Sequence, residues 1–86
     1  MKNIIIEKVS DINSDYPYLE VFLSKDRKLI LEVSITERKE LSFKYYPSKE
    51  VVELGIEDME YILSTSRNFL PRELENEEDI LNFLDE

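Results

Sequence analysis

The sequence predicts an α+β fold: an antiparallel meander sheet of four to five strands, one long helix packed on one face, and a short C-terminal helix. Three observations carry that expectation. Apolar and polar residues alternate with a period of two up to Tyr46. The single glycine, Gly55, is followed by apolar residues spaced for a helix. The segments between candidate strands are mostly short and polar, which suits antiparallel neighbours joined in sequence order.

"NIIIEKV" (Asn3–Val9) is short and β-branched, so it opens the sheet. "DINSDYP" (Asp11–Pro17) is dense in turn formers and reads as a loop. "YLEVFLS" (Tyr18–Ser24) is the next strand, and "KDR" is a polar turn. "KLILEVSI" (Lys28–Ile35) is the strongest strand, followed by the hairpin-length turn "TERK" (Thr36–Lys39). "ELSFKYY" (Glu40–Tyr46) alternates until Pro47 ends it, and "VVEL" (Val51–Leu54) is a candidate fifth strand. Alternation assigns Leu19, Val21, Leu23, Leu29, Leu31, Val33, Ile35, Leu41, Phe43 and Tyr45 to the inner face. Tyr18, Glu20, Phe22, Ile30, Glu32, Ser34, Ser42, Lys44 and Tyr46 fall on the outer face, as in an antiparallel sheet with one side in water.

Past Gly55, the residues Ile56, Met59, Ile62, Leu63, Phe69 and Leu70 share one side of a helix, with Ser66 in the middle of the stripe. Glu57 and Asp58 lie in its first turn, where the helix dipole favours negative charge. Pro71 is expected to end this helix, leaving Ile56–Leu70 about 22 Å long. In "NEEDILNFLDE", Asn76 is a candidate N-cap for the short second helix, with Glu77, Glu78 and Asp79 in its first turn. Ile80, Leu81 and Leu84, with Phe83 beside them, would dock it. A helix this short is marginal unless it packs.

A chain of 86 residues, 42% of them hydrophobic, is expected to form one domain over 1–86 around one small core. No apolar run approaches the roughly 20 residues of a membrane span. "MKNIIIEKVS" is interrupted by Glu7 and lacks a signal-peptide core and cleavage site, so a cytoplasmic location is expected. Without cysteine there is no disulfide framework and no thiolate chemistry. Without histidine the usual general base near neutral pH is missing, and a zinc site would rest on carboxylates alone. One glycine makes no phosphate-binding loop. The expectation is a protein with no cofactor, no metal and no catalytic residues, hence not an enzyme.

The net charge is −9, from 20 acids and 11 bases. Seven of the acids and one of the bases fall in the last 16 residues. Such a field repels nucleic acid and anionic lipid and attracts basic proteins, so no direct nucleic-acid or membrane partner is expected.

Three patterns invite chemistry. Asp11, Asn13 and Asp15 have calcium-loop spacing, but Tyr16 stands where glycine is needed and Phe22 where the bidentate glutamate is needed. The loop reading wins. Ser64, Thr65 and Ser66 have no histidine, cysteine or evident lysine to activate them. Ser66 reads instead as a small residue where the helix approaches the sheet. Paired carboxylates for hydrolysis need a cleft that raises one pKa, and solvated acidic faces are the plainer reading.

Aromatic residues among acids carry more. On the outer sheet face Tyr18, Phe22 and Tyr46 neighbour Glu20 and Glu32; on the helix Glu57, Asp58, Tyr61, Thr65 and Asn68 lie away from the apolar stripe. Tyrosine ringed by carboxylates suits a protein interface, since aromatics anchor and charges steer. Tyrosines half-buried on an ordinary surface remain the alternative. The candidate partner-binding set is Tyr18, Glu20, Glu32, Tyr46, Glu57, Asp58 and Tyr61, with Glu77 and Glu78 from the acidic end.

The stretch "YLEVFLSKDRKLILEVSITERKELSFKYYPSKEVVELGIEDMEYILSTSRNFLPRE" resembles small bacterial immunity proteins encoded beside contact-dependent inhibition or polymorphic toxins. The likeness is one of layout: a strand pair, the central strand "LILEVSI", then "VELGIEDMEYIL…FLP". It covers most of the chain and includes no catalytic or ligand motif. The resemblance implies a cognate basic protein toxin as partner, often a nuclease domain whose active site is blocked. It transfers no contact residue by position. Two rivals share the composition: a phage-type decoy that mimics nucleic acid to block a host protein, and a non-enzymatic homo-oligomeric adaptor. The free protein is expected to be a monomer or a weak homodimer.

Overall fold

Alternation and turn chemistry produce four strands and one helix. The structure, a computed structural model, describes the backbone of residues 3–85 and the side chains of residues 3–77. The elements are β1 (Ile4–Val9), β2 (Tyr18–Leu23), β3 (Leu29–Ile35), β4 (Leu41–Tyr45) and α1 (Ile56–Asp85). The strands lie in sequence order β1-β2-β3-β4, each antiparallel to the next. The meander and all four principal strands match the reading of the sequence to within a residue at most ends.

Local hydrogen bonds set the connections. Asp11 Oδ1 accepts the Asn13 N–H at 2.9 Å and the Asp11 carbonyl accepts the Ser14 N–H at 3.0 Å, an Asx turn where calcium-loop spacing had been noted. Between β3 and β4 the Thr36 N–H donates to the Glu40 carbonyl at 2.8 Å and the Lys39 N–H to the Thr36 carbonyl at 2.9 Å. Lys39 takes φ 64° to close this three-residue loop, a position that favours glycine.

The core lies between the sheet and α1. Ile4, Leu19, Val21, Ile30, Leu31, Val33, Ile62 and Phe69 are buried in it, and Leu23, Ile35, Leu41 and Phe43 pack around them. Two residues depart from simple alternation. Ile30, assigned outward, is buried, because the β2–β3 register shifts between Val21 and Phe22. Val21 faces Leu31 and Phe22 faces Leu29, so a bulge inserts Ile30 and breaks the parity there. Tyr45 pairs with Leu31 but is 69% exposed at the end of the edge strand.

The fifth strand is not formed. Val51–Leu54 is extended chain without a ladder; Val52 and Leu54 pack on the core while Val51 is exposed. The segment has to travel from β4, at one edge, to the start of β1, at the other. Running across the end of the sheet, it lies beside neither edge for pairing. It delivers α1 beside Asn3, whose N–H and side-chain amide donate to Asp58 at 3.2 and 3.4 Å.

The second helix is not separate. α1 runs unbroken for 30 residues with Pro71 inside it, and Asn76 is an interior position rather than a cap. Proline removes one donor and crowds the carbonyl four residues earlier, that of Arg67. The following "RELENE" consists largely of strong helix formers. Two side chains past the proline are also tied to the sheet layer: Glu73 Oε1 lies 2.6 Å from Lys8 Nζ, and Tyr16 donates its hydroxyl to Glu77 at 2.5 Å. The proposed docking residues Ile80, Leu81, Phe83 and Leu84, and the acids Glu78 and Asp79, have side chains outside the described residues.

The helix is also rotated from the expected orientation. Its buried stripe is Asp58, Ile62, Ser66, Phe69 and Glu73, spaced by three and four. Ile56 and Leu63, assigned inward, are exposed; Asp58 and Tyr61, assigned outward, are buried and half-buried. Ile62, Ser66 and Phe69 are buried as assigned and Met59 packs on the core, but Asp58 and Glu73 are polar, so apolar spacing alone does not centre the face on them. Ser66 is completely buried and its hydroxyl donates to the Ile62 carbonyl at 2.7 Å. That satisfies the hydroxyl locally, and the small side chain lets helix and sheet approach.

Candidate functional site

With α1 on one face, the other face of the sheet is left uncovered by any described element. Leu19, Val21, Leu31 and Val33 are in the core, so the residues between them point away from it. Register then aligns a row across all four strands: Glu7 opposite Glu20, Glu20 opposite Glu32, Glu32 opposite Lys44. Strands are spaced about 4.8 Å apart, so three consecutive carboxylates stand within roughly 10 Å. Like charges directly opposite one another destabilise a sheet.

The ends of the row are partly neutralised. Arg27 Nη2 bonds Glu7 at 2.7 Å, and its guanidinium sits 5.3 Å from the centre of the Phe22 ring. Arg27 adopts φ 55° in the β2–β3 turn that brings it there. Lys44 Nζ lies 3.7 Å from Glu32, a looser contact, and Tyr46 donates its hydroxyl to Glu32 at 3.3 Å. Glu20, in the middle, has no cation paired with it among the described residues.

Tyrosines border the row. Burial first, then the Glu20, Asp11 and Glu32 charges, raises the Tyr18 pKa. Burial, then the charge and hydrogen bond of Glu32, raises that of Tyr46. Both phenols are held neutral beside the carboxylates. At one end the face deepens into a concavity of about 360 Å³ between the β1–β2 loop and the β3–β4 hairpin, lined by Asp11, Asp15, Tyr18, Glu32, Glu37 and Lys44 among others. Tyr16 also lines it, and its bond to Glu77, with burial second, raises the Tyr16 pKa. Glu77 of α1 thereby ties down the loop that walls the concavity.

The structure divides the candidate residues. Tyr18, Glu20, Glu32 and Tyr46 come together on the open face. Glu57 is exposed and Tyr61 half-buried on α1, across the sheet from that face. Asp58 is occupied in the fold: it accepts the Asn3 N–H at 3.2 Å and the Gly55 N–H at 3.1 Å. Those two bonds, largest first, lower its pKa. Glu77 acts through Tyr16, and Glu78 has its side chain outside the described residues. Sequence reasoning missed Glu7 and Arg27. Glu7 has outward parity on β1, but which glutamates it would face depended on an unknown register. Arg27 in a polar turn carries no periodic signal.

Among the described residues no group of histidine, cysteine or carboxylates is arranged to hold a metal ion, and no helix is long and apolar enough to cross a membrane. No family model, curated protein or solved structure matches the chain.

Proposed function

We propose that this is a non-catalytic binding protein: an acidic immunity protein that neutralises a cognate basic toxin, with a nuclease domain as the expected target, by occupying its active site. The observation that carries the reading is the uncovered sheet face, where three carboxylates stand in a row despite their mutual repulsion. A nuclease site is cationic because it holds phosphates. A preformed anionic surface enters it without ordering a flexible segment, and long-range attraction speeds the encounter.

The test is coexpression with the product of the neighbouring gene, followed by pull-down across a salt series. Association that weakens as salt rises, with loss of the partner's toxicity, is the expected result. No association from low to moderate salt overturns the reading. A nucleic-acid-mimicking inhibitor of a host protein would share the electrostatics and differ in target. The edge strand β4 favours one further reading, a homo-oligomeric adaptor: Tyr45 is exposed there beside half-buried Leu41 and Phe43. Light scattering of the free protein separates that reading from a monomeric inhibitor.

A further inference from the structure

We propose that the open sheet face receives an arginine side chain of the basic partner, its guanidinium bonded to Glu32 and Glu20 and stacked on Tyr18. This rests on the proposed function and specifies the partner's chemistry. The face already shows what it does with a guanidinium and with an ammonium. Arg27, from this chain, sits over Phe22 and bonds Glu7 at 2.7 Å, joining ring and carboxylate in one contact. Lys44 stays 3.7 Å from Glu32; both cations are largely exposed, 59% for Arg27 and 65% for Lys44, so the difference lies in contact distance and in the ring. A planar guanidinium uses a ring and a carboxylate at once, whereas a compact, strongly hydrated ammonium does not.

The next aromatic–carboxylate unit on the same face holds no guanidinium: Glu32 has the loose Lys44 contact and the Tyr46 hydroxyl, and Glu20 has no paired cation among the described residues. Tyr18 lies two residues from Glu20 on β2, and Glu20 faces Glu32 on β3. Both carboxylates act on the Tyr18 phenol, and Tyr18 and Glu20 both act on Tyr46, so the four form one cluster. The adjoining concavity of about 360 Å³ gives a long side chain an approach lined by Asp11, Asp15 and Glu37. A partner arginine placed there would supply the counter-charge that Glu20 lacks within the described residues.

Calorimetry with hexa-arginine and hexa-lysine peptides at about 150 mM NaCl tests this. The wild type should bind hexa-arginine several-fold more tightly than hexa-lysine. Tyr18→Leu, which leaves the charge unchanged, should weaken hexa-arginine about threefold to tenfold and hexa-lysine by less than about twofold. Glu32→Gln should weaken hexa-arginine more than Glu60→Gln, the same charge change at an exposed helix position. Circular dichroism confirms that each variant folds, and Tyr46→Leu serves as a second aromatic variant. Equal affinity for the two peptides, or equal losses from Glu32→Gln and Glu60→Gln, overturns the proposal and leaves only diffuse charge attraction. Capture of a basic toxin that survives Tyr18→Leu and Glu32→Gln sinks this site while the proposed function stands. Arginine preference without any basic protein partner supports the site and sinks the function.

Discussion

Lys39 holds φ at 64° and Arg27 at 55°, and the two residues bear that strain for different reasons. The Lys39 backbone closes the β3–β4 loop, and no side-chain contact of Lys39 contributes to that closure. Lys39→Gly should therefore raise stability by about 0.5–1 kcal/mol, read as a higher urea midpoint at unchanged slope. Arg27→Gly would relieve the same strain and lose the Glu7 and Phe22 contacts, so no equal gain is expected there. Glu20 shows the opposite balance. Flanked across both strands by Glu7 and Glu32, it weakens the sheet, so Glu20→Gln should stabilise the free protein by roughly 0.2–1 kcal/mol while weakening partner binding. Denaturation and binding measured on that one variant check both halves. Asp58 is ionised and bonded in the folded state, so its pKa lies below the unfolded value. Its stabilisation is fully present above the ordinary value of 3.8 and is lost as pH falls through the lower folded value. Asp58→Asn should lower the melting temperature at neutral pH, and the gap from wild type should shrink below about pH 4.

At the scale of elements, α1 is held by its polar stripe as much as by its apolar residues. Asp58 binds the start of β1, Ser66 allows close approach to the sheet, Glu73 meets Lys8, and Glu77 meets Tyr16. These ties run along β1 and the loop after it, so they orient the helix over that edge of the sheet. Pro71 interrupts the helix's own hydrogen bonding in the middle of that span. Pro71→Ala should restore one bond and stabilise the protein by about 1–3 kcal/mol, with more helical signal in circular dichroism. Unchanged or lowered stability would mean that the proline fits a bend the packing requires.

At the scale of the whole molecule, a charge of −9 on 86 residues opposes compaction. Added salt should raise the melting temperature by a few degrees between about 20 and 300 mM NaCl, because screening relieves self-repulsion. The same salt should slow association with a cationic partner, so the two measurements move in opposite senses. Much of this molecule was legible from neighbouring residues alone. The four strands, their order and the acidic excess follow from side-chain parity, turn-forming residues and composition, all properties of short stretches of chain. The shared face of Tyr18, Glu20 and Glu32 was legible as well from their parity on β2 and β3, with Tyr46 just past the end of β4. Other features depended on contacts between distant parts of the chain. Apolar spacing placed Ile62, Ser66 and Phe69 on the buried side but turned the face too far toward Ile56 and Leu63, because Asp58 and Glu73 are buried against Asn3 and Lys8, partners that only folding supplies. Pro71 signalled a stop, yet Lys8 and Tyr16, more than 60 residues before the groups they hold, help carry the helix past it. The carboxylate row needed the register of three strand pairs. Side-chain pattern and composition are enough to say which segments form strands and what charge they bear; which side chains meet follows from register and helix rotation, and those are set by packing across the whole chain.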